Sequence, residues 1–155
     1  MRYLLDTATC IGLINGRYPV RARLTRAQDS GGEFFVSAVS IFELSRELGK
    51  GTGDSQLLET FLAGPVVVLA LEEKDARAAN YIEGALNGAC PADSSEALIA
   101  GQALARNMVL VGIGATALSQ IKGLASQDWG KPWQPLRAKP LTAKDTKVHE
   151  GSPCL

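Results

Sequence analysis

Three carboxylates stand out for where they sit relative to apolar runs. Asp6 closes the run Arg2-Tyr3-Leu4-Leu5, Glu43 follows Phe34-Phe35-Val36-Ser37, and Glu96 precedes Met108-Val109-Leu110-Val111. Hard divalent cations such as Mg²⁺ take oxygen ligands and keep several waters, so two or three converging carboxylates suffice to hold one against a phosphodiester. An ion so held lowers the pKa of a coordinated water, orients it and offsets charge developing at phosphorus. Thr7, beside Asp6, adds a hydroxyl able to orient a ligand. The only histidine is His149, and Cys10, Cys90 and Cys154 are odd in number and widely spaced. Multi-histidine metal sites and Cys-based zinc sites drop out. If this chain does chemistry, carboxylates carry it.

Each acid also has a structural reading. Ser40-Ile41-Phe42-Glu43 and Asp93-Ser94-Ser95-Glu96 both fit the capping box, in which the acid bonds back to the start of a helix. Asp6 has no cap to make unless a helix begins at once. On spacing alone both readings stay open for Glu43 and Glu96.

The elements that must position these acids follow from the hydrophobic pattern. Arg2 to Leu5, Phe34 to Ser37, Val66 to Leu69 and Met108 to Val111 read as strands, the β-branched Val66-Val67-Val68 being the clearest. Between them, helical patterns run over Thr9 to Asn15, Pro19 to Gln28, Ile41 to Leu48, a segment capped by Asp54, Glu72 to Leu86 and Ser94 to Arg106. A weaker helix spans Ala115 to Gln120. Strands alternating with helices predict a three-layer α/β/α fold with a mainly parallel central sheet. In such a sheet, sites gather beyond the carboxyl ends of the strands. Asp6, Glu43 and Glu96 are all expected at that edge.

Composition is ordinary for a globular chain, with 46% hydrophobic and 21% charged residues. Residues 131–155 differ: they hold five basic and two acidic groups and four of the seven prolines, and read as a basic, flexible extension to a domain over 1–130. No apolar run reaches bilayer length, no signal peptide is evident and the cysteines look unpaired, so a cytoplasmic location without membrane contact is expected. Among other residues, Gly112-Ile113-Gly114 reads as a loop after a strand. Arg17, Arg21, Arg23 and Arg26 read as a solvated helix face, and Cys10 as a packed thiol. Trp129 reads as a packing anchor. The helix holding Leu57, Leu58, Phe61 and Leu62 could be core, dimer interface or partner groove.

Five blocks, in order, resemble the PIN-domain family, especially the toxins of VapBC toxin–antitoxin pairs. They are Met1-Arg2-Tyr3-Leu4-Leu5-Asp6-Thr7, Val36-Ser37-Ala38-Val39-Ser40-Ile41-Phe42-Glu43-Leu44, Glu96 through Ala105, Met108-Val109-Leu110-Val111, and Gly123-Leu124 leading to Asp128-Trp129. The resemblance implies a Mg²⁺- or Mn²⁺-dependent endoribonuclease, typically a homodimer, neutralised by a cognate small antitoxin. Asp6 and Glu43 match the family's first two acids, and Glu96 stands where a third, aspartate, is usual. Asp93, one turn earlier, would support Glu96 or simply cap. Ala8 replaces a usual asparagine, and Gly112-Ile113-Gly114 replaces a Thr-Asn-Asn or Thr-x-Asp pattern, so the fourth acidic or amide position is Gly114. Two functions follow: an RNA-hydrolysing toxin, or a catalytically impaired PIN domain that binds antitoxin or RNA without cutting.

Overall fold

The computed structural model describes residues 1–49, 54–86, 94–114 and 117–132. Asp93 and the extension from residue 133 onward, with Trp133 and His149, lie outside the described residues, as does the side chain of Asp54. The elements in chain order are β1 (Arg2–Leu5), α1 (Thr7–Ile14), α2 (Tyr18–Asp29), β2 (Glu33–Ser37), α3 (Ala38–Leu48), α4 (Asp54–Leu62), β3 (Val66–Leu69), α5 (Glu73–Leu86), α6 (Ser94–Ala105), β4 (Val109–Gly112) and β5 (Ser126–Asp128). A 3₁₀ turn, Ala117–Gln120, stands where a weak helix is expected from the sequence.

The five strands form one all-parallel sheet in the order β3-β2-β1-β4-β5. β1 lies at the centre because its apolar residues face a layer on each side. Leu4 packs with Leu110, Met108, Ile82 and Ile99 on one face. Tyr3 and Leu5 pack with Phe34, Val36, Leu44 and Val111 on the other. Helices cover both, which is the three-layer α/β/α arrangement. Trp129 is fully buried, its ring 5.6 Å from that of Tyr3 and edge-on to Phe34, and so anchors the chain just after β5. β3, the most strand-like run in the sequence, is an edge strand with Val67 and Val68 exposed.

Two helix starts differ from the sequence reading, and each bears on an acid. α1 begins at Thr7 rather than Thr9, because Asp6 is its N-cap and accepts a hydrogen bond from the Thr9 N–H at 2.6 Å. α3 begins at Ala38, because the hydroxyl of Ser37 accepts from the Val39 N–H at 3.1 Å. Ser40 is therefore inside the helix. Glu43 is one turn too far along to close a capping box, and that reading is corrected.

On the far side of the sheet from α1, helices α5 and α6 meet backbone to backbone at Gly101. A Cβ at Gly101 would stand 2.4 Å from the Ala79 nitrogen and 2.6 Å from the Asp75 carbonyl oxygen. Both are main-chain atoms, so the helices must separate to admit it. Gly101→Ala is expected to destabilise the fold by about 1–3 kcal/mol through overpacking, outweighing the roughly 1 kcal/mol that alanine gains in helix propensity. Urea denaturation checks this; a variant as stable as the wild type would contradict the close packing.

Candidate active site

The strand order reverses direction between β1 and β4, and ligands of open α/β sheets bind at such a switch point, beyond the strand carboxyl ends. Asp6 follows β1 there, its N–H donating to the Val111 carbonyl of β4 at 2.9 Å. A cavity of about 480 Å³ opens at this edge, and Asp6, Glu43, Glu96 and Asp128 all line it. Its apolar floor is built from Ile99, Leu110 and Leu118. Low-dielectric surroundings of this kind strengthen any charge interaction made inside.

Each acid reaches the cavity by a different local device. Asp6 is placed by the strand and held by its capping bond, so one carboxylate oxygen serves α1 while the other, Oδ2, faces Gly112. Glycine is required there by space: a Cβ on Gly112 would come within 3.0 Å of that Oδ2. Burial pushes the Asp6 carboxyl above its ordinary range; the Thr9 hydrogen bond pulls it back, and the negative charge of Glu43 adds to the rise. Glu43 projects from the second turn of α3, where its Oε2 accepts a hydrogen bond from the Thr7 hydroxyl. Thr7, expected from the sequence to orient a ligand, thus ties α1 to α3 through Glu43. Glu96 lies in the first turn of α6 and is half-buried.

The structure brings Asp6, Glu43 and Glu96 to one cavity, together with Thr7, Ala8, Gly112 and Gly114. Among the described residues no three Asp, Glu, His or Cys side chains stand close enough to grip one ion jointly. An ion here would take at most two of the acids directly and complete its shell with water, the usual habit of Mg²⁺.

Asp128 was not among the acids singled out in the sequence. Its Oδ1 accepts from the backbone N–H groups of Gly114 at 2.9 Å and Gly130 at 2.8 Å. Burial would raise its pKa, but those two donors, with Lys131 and Arg23 nearby, hold it below the ordinary carboxylate value. The signal that could have found it is the one that found Asp6, an acid at the end of a strand.

Three solved structures resemble this chain throughout its folded part. They are VapBC2 from Rickettsia felis bound to a DNA fragment from its promoter (21% identity, TM-score 0.74, 83% of this chain and 99% of that one), DNA-bound VapBC from Salmonella typhimurium (24%, 0.69, 83% and 98%), and VapBC-1 from nontypeable Haemophilus influenzae (25%, 0.71, 84% and 100%). The fold is PIN-like. No protein-family model and no curated protein sequence matches the chain.

Within this PIN-like fold the remaining sequence readings find their places. The Cys10 thiol is fully buried, and burial pushes its pKa up, so it is a packing residue rather than a nucleophile. Arg46 lies over the Phe42 ring, its guanidinium carbon 5.6 Å from the centroid. Arg17, Arg21 and Arg26 are exposed along α2, while Arg23 donates to the Asp128 carbonyl at 3.4 Å. Leu58 is buried, which makes α4 largely a core helix. No helix of the described residues is long and apolar enough to cross a membrane.

Proposed function

We propose that this chain is the toxin of a toxin–antitoxin pair, a metal-dependent endoribonuclease. The observation that carries this reading is the convergence of Asp6, Glu43 and Glu96 on one cavity at the switch point of a PIN-like sheet. The donor set is all oxygen and anionic, which suits Mg²⁺ or Mn²⁺. When bound, such an ion would polarise the scissile phosphate and activate water for attack on it. The chain's own residues would hold and orient it: Asp6 rigidly, through the α1 cap; Glu43 through Thr7; Glu96 from the opposite side of the cavity. The apolar floor would exclude bulk water around the scissile bond. Unpaired RNA is the substrate class this implies, since a splayed strand can enter a cleft that a duplex cannot.

An antitoxin partner is supported by the VapBC complexes that share the fold. It is also supported by a second concavity of about 440 Å³ between α1, α2 and α4, lined by Leu13, Ile14, Leu24 and Phe61. Exposed Phe42, Val67, Val68 and Tyr81 leave further apolar surface for a homodimer contact. Such a toxin would act in the cytoplasm, where its RNA is.

A second reading, a PIN domain that binds antitoxin or RNA without cutting, is favoured by Ala8, Gly112 and Gly114, which bring no polar side chain to the cavity wall. One assay separates the two. Purified, antitoxin-free protein is incubated with a mixed RNA pool and millimolar Mg²⁺ or Mn²⁺. Metal-dependent cleavage, suppressed by EDTA, is the expected result; intact RNA beside measurable RNA binding would establish the binding module instead.

A further inference from the structure

We propose that Asp128 is a fourth carboxylate of this site, supplying through its Oδ2 the negative oxygen that Gly114 does not, and so helping to hold the divalent cation. This rests on the nuclease reading above. The sheet register puts Asp128 in the required place. Gly112 of β4 is the Cα partner of Asp128 in β5, and Leu5 of β1 partners Val111, so Asp6 stands beside Gly112 on the other side. Asp6, Gly112 and Asp128 thus form one row across three strand ends. Two strand spacings separate the outer backbones by about 10 Å, and the residue between them has no side chain. Both carboxylates line the same cavity.

The two oxygens of Asp128 have different fates. Oδ1 is saturated by Gly114 N–H and Gly130 N–H, which fixes the carboxylate and latches the loop after β4 to the chain after β5. Oδ2 is buried and accepts no hydrogen bond from any described group. Its nearest cation is the Lys131 ammonium at 3.8 Å, on a side chain three-quarters exposed. A loop latch accounts for Oδ1 and leaves Oδ2 unexplained. Asparagine would serve the latch equally well, offering one oxygen to two N–H donors. A buried anionic oxygen without a donor, in a cavity already holding Asp6, is explained by a cation. Paired with Asp6 it also gives the two-carboxylate, water-completed shell that Mg²⁺ takes.

The experiment is calorimetric titration of the full chain with Mg²⁺ and with Mn²⁺, using wild type, Asp6→Asn and Asp128→Asn, each with a thermal melt. Asp128→Asn is expected to weaken metal binding about tenfold or more while its melting temperature stays put, because the latch survives. Wild-type binding that falls in Asp6→Asn but stays within twofold in Asp128→Asn would overturn this inference and leave the nuclease reading standing. No metal uptake by the wild type would overturn both. Carboxyl ¹³C resonances of the wild type during Mg²⁺ addition give the same answer without any variant. The Asp128 signal is expected to move with that of Asp6, and an Asp6 shift with Asp128 unmoved would refute the proposal.

Discussion

Asp6→Asn is expected to lower RNA cleavage by about 10³-fold while leaving the fold intact. A bound divalent ion stabilises a phosphoryl transition state by several kcal/mol. Each 1.36 kcal/mol is a factor of ten, so losing about 4 kcal/mol of that stabilisation removes three orders of magnitude. Asp6 is the acid whose loss should cost most, because it is the one fixed by both a strand and a helix cap. The same residue holds α1 in place, and this dictates the choice of variant. Asparagine caps helices about as well as aspartate, and its side-chain oxygen can still accept the Thr9 N–H. Alanine would remove the cap, at a cost of about 1 kcal/mol, and would confuse loss of metal with loss of structure. The substitution also removes a half-buried charge that Glu43 disfavours, so no drop in melting temperature is expected. Cleavage rates on an RNA pool and a thermal melt together check the prediction. Activity persisting in Asp6→Asn would place the chemistry, or its absence, elsewhere.

The parts of this fold that could be read from the sequence are those where burial writes a pattern. β1, β2, β3 and β4 are apolar runs bounded by turn residues, and parallel strands buried on both faces read that way. β5 does not: Ser126-Gln127-Asp128 has no β-branched or aromatic residue. It is a strand because β4 offers it backbone partners and Trp129 pulls the following chain into the core. With β5 illegible, Asp128 had no position, and an acid without a position cannot be recognised as part of a site.

The start of α3 shows a second limit. Ser37 and Ser40 are both good caps three residues apart, and local spacing favours Ser40 with Glu43. The chain chooses Ser37 because β2 ends there and the turn must begin. Asp6 shows a third. Capping and site-lining were weighed as rivals for such residues, yet one carboxylate has two oxygens and Asp6 uses them separately. Gly101 carries no sequence signal of its role at all. In a helix it reads as a weak position, and only the crossing of α5 explains it.

The largest expected effect on stability comes from Arg106, just beyond α6. Asp75 is fully buried in the first turn of α5, and Arg106 grips it with both ends of its guanidinium, Nε to Oδ1 at 3.0 Å and Nη2 to Oδ2 at 2.7 Å. The Glu72 N–H donates to the same Oδ2 at 2.9 Å, and Arg106 Nη2 and Gln102 Nε2 both donate to the Ala70 carbonyl at 2.9 Å. This network ties the turn between β3 and α5 to the end of α6. Arg106→Met would leave a buried carboxylate without its cation, a loss of about 3–5 kcal/mol. Against a total stability of roughly 5–15 kcal/mol, that is a large fraction, equivalent to a fall in melting temperature of about 10 °C. Making the partner apolar as well, in Arg106→Met with Asp75→Val, should recover much of the loss, since the penalty lies in the orphaned charge rather than in the missing pair. The pH dependence follows from the same group. Burial alone would raise the Asp75 carboxyl, but the Arg106 and Glu72 donors outweigh it and hold it below the ordinary value of 3.8. The pair therefore stabilises fully above the unfolded pKa, and its contribution fades as pH falls below about 4 and through the lower folded value. Urea midpoints at pH 7, 5 and 3.5 are expected to show this acid-side decline in the wild type and a shallower one in Asp75→Asn. A double variant no more stable than Arg106→Met alone would refute the orphaned-charge account.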